Sequence, residues 1–133
     1  MRAYIPALGT ALSLLLLAGC AREAPESAGG ESVLARELAG LSAGPPRTCV
    51  SASSATQNLV AIDENTIIQR EGRTVWVNRL RARCPGLRPP VTVIVQTHGS
   101  QHCRGDHIRA LEFGGSIPGP TCFLGDWTPY RPG

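Results

Sequence analysis

Five cysteines in a chain of 133 residues limit what this sequence can become. Cys20 lies directly behind an apolar run, and Cys49, Cys84, Cys103 and Cys122 are spread over the remainder. The apolar run covers residues 7–18, contains the consecutive leucines Leu14, Leu15, Leu16 and Leu17, and has Arg2 ahead of it. A positive start followed by a short apolar stretch is the pattern of a secretory signal. At about 12 residues the run is too short for a retained transmembrane helix, which needs about 20. An exported chain meets an oxidising compartment, so an even set of four cysteines reads as two disulfides. Removal of residues 1–19 leaves at most one ordinary domain, and a domain this short depends on such staples. Four cysteines allow three pairings. We expect Cys84–Cys103, which bracket the apolar segment 91–97, and Cys49–Cys122, which tie the two ends together.

The stretch Leu17-Ala18-Gly19-Cys20 resembles the lipobox of bacterial lipoproteins. The resemblance implies a diacylglyceryl thioether on the Cys20 Sγ, cleavage before Cys20 and acylation of the new amine. A thiolate is a soft nucleophile suited to forming that thioether. One acyl chain holds only reversibly, at about 0.8 kcal/mol per buried CH₂, whereas three hold in practice permanently. In that family an Asp after the cysteine favours the inner membrane. Ala21 stands there instead, which implies the outer membrane. The alternative is an ordinary signal peptide with an incidental cysteine.

The expected organisation is a signal peptide over 1–19, an acylated Cys20 with a flexible tether over 20–46, and a β domain over 47–133. Residues 21–30 are small, polar and punctuated by Pro25, Gly29 and Gly30, which reads as a tether. Residues 32–41 could form a short helix capped by Ser32 and stopped before Gly44-Pro45-Pro46. Beyond Arg47 the signals are short strands. Segments 59–62, 66–70 and 73–80 are rich in β-branched residues, and Glu71-Gly72 between the last two predicts a tight hairpin. Further strands are expected at 91–97 and 107–113, with a short one at 122–124 before a tail over 127–133. The fold class is therefore mainly β: a small antiparallel sandwich, or an open barrel or meander, with two disulfides.

From Arg47 onward the chain resembles small uncharacterised four-cysteine proteobacterial lipoproteins. The residues carrying this are Thr48-Cys49, Val75-Trp76-Val77-Asn78, Arg83-Cys84-Pro85-Gly86-Leu87, Cys103-Arg104-Gly105-Asp106 and Cys122-Phe123-Leu124-Gly125. The resemblance implies a compartment and a cysteine framework, and it implies no catalytic residue.

Two polar groupings invite a functional reading. His98, His102 and His107, with Cys103 and Asp106, hold metal-ligating atoms within ten residues, although their spacing matches no tight metal motif. The plain reading is a solvated loop. Arg79, Arg81 and Arg83 share one face of an extended strand, where guanidinium groups could hold a phosphate or carboxylate of an envelope component. Their plain reading is an edge kept soluble by charge. Trp76 mid-strand is expected in the core, and Trp127 and Tyr130 are expected to pack back onto the domain. All 13 basic residues are arginine, and the net charge of +3 is mild. That charge permits an anionic surface as partner, while export makes nucleic acid an unsuitable one. No nucleophile–base pair, phosphate loop or heptad stands out. The sequence thus points to a lipid-anchored periplasmic protein, a non-catalytic structural or binding accessory of the envelope with no cofactor. The alternative is a metal-binding module built on the loop 98–107.

Overall fold

The computed structural model describes residues 26–52 and 59–133. The expected leader, Cys20 and the first part of the expected tether lie outside these residues. The β-branched segments form strands: β3 (Leu59–Asp63), β4 (Thr66–Glu71) and β5 (Thr74–Arg79). The β4–β5 hairpin closes with Glu71 opposite Thr74, so its two-residue turn is Gly72-Arg73, one residue later than expected. A helix α1 (Glu26–Glu37) and short strands β1 (Leu41–Ala43) and β2 (Cys49–Ser51) precede them. After them come β6 (Val91–Gln96), β7 (Gln101–Cys103), β8 (His107–Glu112), β9 (Cys122–Phe123) and β10 (Trp127–Pro132).

A five-stranded sheet runs in the order β1-β10-β5-β4-β3, a three-stranded sheet in the order β6-β8-β9, and β2 pairs β7. Every strand pair is antiparallel, and the sheets do not close into a barrel. The mainly β, antiparallel, doubly disulfide-linked class expected from the sequence is what the structure has.

The five-stranded sheet is covered on both faces, because alternate residues of a strand point to opposite sides. Ala61, Ile67, Trp76 and Trp127 pack with Ile108, Leu87 and the Cys84–Cys122 pair on one side. Ile62, Ile68 and Val77 pack with Leu34 of α1 on the other. Double coverage explains why Val60-Ala61-Ile62, Ile67-Ile68 and Val75-Trp76-Val77 are apolar without alternation. The three-stranded sheet buries one face only. In β6 the valines Val91, Val93 and Val95 face the core, while Thr92, Ile94 and Gln96 face solvent.

Three expectations are corrected by this packing. The folded unit does not begin at Arg47: β1 pairs β10 from Leu41 to Ala43, and α1 covers the sheet through Leu34. The helix starts six residues earlier than Ser32 (at Glu26) and ends at Glu37. Ser32 is therefore inside it, and its hydroxyl donates to the Gly29 carbonyl at 2.8 Å rather than capping a terminus. Gly29 and Gly30 read as tether, but a Cβ on Gly30 would lie 2.3 Å from Asp63 Oδ2, so this turn of helix needs glycine to approach the sheet. Lastly, the expected tail is β10, seated between β1 and β5 with Trp127 opposite Asn78. Pro129 is tolerated in β10, and Gly44 N–H donates to its carbonyl at 2.7 Å.

The disulfides also differ from expectation. They are Cys49–Cys103 and Cys84–Cys122, not Cys84–Cys103 and Cys49–Cys122. Cys49 lies directly opposite Cys103 in the β2–β7 ladder. Cys84 follows β5 across the core from β9, where Cys122 begins the strand. The two loops interleave along the chain, an arrangement that only long-range strand pairing produces.

Candidate functional site

A cleft of about 400 Å³ lies at the β3–β4 turn, between Asp63, Glu64 and the arginines Arg83 and Arg88. Asp63-Glu64-Asn65 reverses the chain here, with Asn65 N–H donating to Asp63 Oδ1 at 2.7 Å. The turn is held from below by backbone bonds: Leu80 N–H donates to the Asn65 carbonyl and Cys84 N–H to the Glu64 carbonyl, both at 2.8 Å.

Glu64 is the centre of this site. Its side chain is only 8 % exposed, yet it is ionised. Gly86 N–H donates to its Oε1 at 3.0 Å, Arg83 pairs with Oε2, and Arg88 Nε lies 3.6 Å from Oε1. The Gly86 bond and the two guanidinium groups hold its pKa below the ordinary value despite burial. A carboxylate so fully engaged is poorly suited to exchanging protons. Its work is to clamp the segment 83–88, which carries Cys84 into the core. With Asp63 and Glu64 facing Arg83 and Arg88, the cleft's formal charges balance, so it does not concentrate positive charge.

The arginine row read from the sequence is not a row. Strand β5 ends at Arg79, so Arg81 and Arg83 belong to the following connection and share no strand face with it. Arg79 is spent on Glu31 of α1 at 2.9 Å and on Thr66 Oγ1 at 2.8 Å. Arg83 pairs with Glu64, and the backbone N–H of Arg81 donates to Phe123 at 3.3 Å.

The histidines are not brought together. His98 follows β6 on the surface, His102 sits half-buried on β7, and His107 starts β8 with its ring edge-on to Phe123 at 4.9 Å. Burial pushes the His102 pKa down, partly offset by Asp106. Cys103 is in a disulfide, and Asp106 Oδ2 accepts the Cys103 N–H at 2.7 Å. Among the described residues no three His, Cys, Asp or Glu side chains gather as a metal-ligating group.

Trp76 and Trp127 are in the core, and Tyr130 packs on the α1 side of the sheet. The Trp76 indole N–H donates to Glu71 at 2.8 Å, while Arg47 and Arg131 lie 5.7 Å from its ring centroid. Sequence reasoning missed Glu64 and Asn78. Asn78 is fully buried; its amide donates to the Gly125 carbonyl at 2.8 Å and accepts the Gly125 N–H at 2.9 Å. It replaces a missing strand partner at the β9–β10 corner. A Cβ on Gly125 would lie 2.0 Å from the Arg79 carbonyl oxygen, so glycine is required there. An asparagine within an apolar strand run is the one signal that pointed to it.

Comparison with protein-family models, with curated proteins and with solved structures returned no match. Among the described residues no helix is long and apolar enough to cross a membrane.

Proposed function

We propose that this chain is a lipid-anchored protein of the bacterial envelope, attached through Cys20 to the periplasmic face of the outer membrane. Its stapled domain serves there as a non-catalytic structural or binding accessory. The observation that carries this is Leu17-Ala18-Gly19-Cys20, placed directly behind a short apolar run with Arg2 ahead of it. Two further points support it. The other four cysteines pair with one another, so no disulfide of the fold needs Cys20. Paired cysteines also suit an oxidising compartment. Ala21 favours the outer membrane over the inner.

The test is fractionation of cells making the wild-type chain or Cys20→Ser, together with the intact mass of the purified protein. The proposal expects a mass carrying three acyl chains on Cys20 and recovery with the outer membrane. Cys20→Ser should lose the acyl mass and leave that fraction. Unchanged fractionation with no added mass overturns it.

A further inference from the structure

Two large apolar side chains among the described residues stand almost wholly in water. Phe113 is 91 % exposed and Ile117 is 86 % exposed, and both lie on the loop 113–120 after β8. The loop is built, not slack. Gly115 N–H donates to the Glu112 carbonyl at 2.9 Å and Gly119 N–H to the Ala110 carbonyl at 2.7 Å. Arg109 reaches out from β8 to bond the Gly119 and Pro118 carbonyls at 2.8 and 3.3 Å. A loop fixed at both ends thus holds two large apolar groups outward, where each costs hydration free energy unless something covers it.

The position of the loop relative to the start of α1 bears on what could cover it. Gly30, early in α1, lies against Asp63. Asp63 lines the cleft that Arg88 and Pro89 wall on its other side. Arg88 and Pro89 in turn line a second cleft whose far wall is Phe113. The start of α1 and the Phe113 loop therefore share one end of the molecule, while the Gly72-Arg73 turn closes the opposite end of the β4–β5 hairpin. From Cys20 to Glu26, where α1 begins, the chain reaches at most about 20 Å when fully extended. An acylated Cys20 would hold this same end against the bilayer.

We infer that the loop 113–120 is a second membrane contact, with Phe113 and Ile117 inserted into the interfacial region of the lipid bilayer and the domain oriented by them. This rests on the anchoring proposed above for its geometry. The formal charges nearby are mixed, with Arg83 and Arg88 against Asp63, Glu64 and Glu112. The attraction is therefore apolar and does not require anionic lipid. Short chains of apolar side chains bind a bilayer in proportion to the area they bury.

The experiment uses the intact acylated protein in vesicles of phosphatidylethanolamine with phosphatidylglycerol. A polarity-sensitive fluorophore is placed on Ile117→Cys and, as control, on Arg73→Cys at the opposite end. The inference expects a blue-shifted, lipid-quenchable signal at 117 and an aqueous one at 73. A second arm floats the non-acylated Cys20→Ser chain, secreted through an exchanged leader, with phosphatidylcholine vesicles. Without the anchor the wild-type loop should bind only weakly and reversibly, too weakly to hold the chain in a membrane fraction, and Phe113→Ser with Ile117→Ser should weaken that binding about tenfold. Both side chains lie outside the core, so the double variant keeps the fold, which circular dichroism checks. An aqueous signal at 117 overturns the inference. So does binding that needs anionic lipid, or self-association of the soluble chain through these residues, which would assign the loop to a second copy. The mass of Cys20 reads the anchor separately: an unmodified Cys20 with a buried 117 label removes the anchor and leaves the loop contact standing.

Discussion

At the scale of single residues, Glu64 matters most because it is charged, buried and far in sequence from its partners. Nothing local to Asp63-Glu64-Asn65 indicates that Gly86, Arg83 and Arg88 will surround it. Its pKa lies below the usual 4.5, so ionised Glu64 favours the folded state. That contribution is complete above about pH 4.5 and is lost as pH falls through the lowered folded value. Glu64→Gln should therefore lower stability at pH 7 by about 2 kcal/mol, the scale of hydrogen bonds to a charged group. The deficit should shrink as the pH falls below 4.5, and paired urea titrations at pH 7 and in acid read it directly. A deficit independent of pH would mean that shape, not charge, is what Glu64 supplies.

At the scale of elements, the strands were legible and the ends were not. Segments 59–62, 66–70, 91–97 and 107–113 announced β3, β4, β6 and β8 within a residue or two because β-branched runs suit a pleated, packed surface. Strand β10 was missed because Thr-Pro-Tyr-Arg-Pro reads as a proline-rich tail. Its register comes from β5 and β1, on both of its sides. The early turns of α1 were missed for a related reason. Gly29-Gly30 opposes an isolated helix, and only at Gly30 does the close approach to Asp63 make glycine the fitting residue. If α1 belongs to the fold, truncating its buried anchor must cost stability. Leu34→Ala, at a site 4 % exposed, is expected to lose about 2–4 kcal/mol in urea unfolding. A tether helix would lose nothing measurable.

At the scale of the whole molecule, the two interleaved disulfides act differently: Cys49–Cys103 cross-links strands β2 and β7 that already pair, whereas Cys84–Cys122 ties the segment after β5 to the separate sheet that holds β9. Cys49–Cys103 closes a separation of 54 residues and Cys84–Cys122 one of 38. In the chain-entropy model each is worth about 4 kcal/mol. The second also fills the core, where Cys84 is fully buried and packs with Leu87, Ile108 and Trp127. Cys84→Ala with Cys122→Ala is therefore expected to lower the urea midpoint more than Cys49→Ala with Cys103→Ala. The reverse order would place the structural weight on the β2–β7 ladder.

What the sequence determined by itself is local or additive. An even set of four cysteines beyond Cys20 and β-branched spacing are both properties of neighbours in the chain. They are enough to expect two disulfides and to obtain a mainly β antiparallel class. The tertiary structure alone decided which cysteines meet, that Asn78 holds Gly125, that Glu64 clamps the segment 83–88, and that the arginines and histidines singled out form no common site. Each of these depends on which strands become neighbours. That choice is made by burying both faces of one sheet at once, a constraint spread over the whole chain that no short stretch carries.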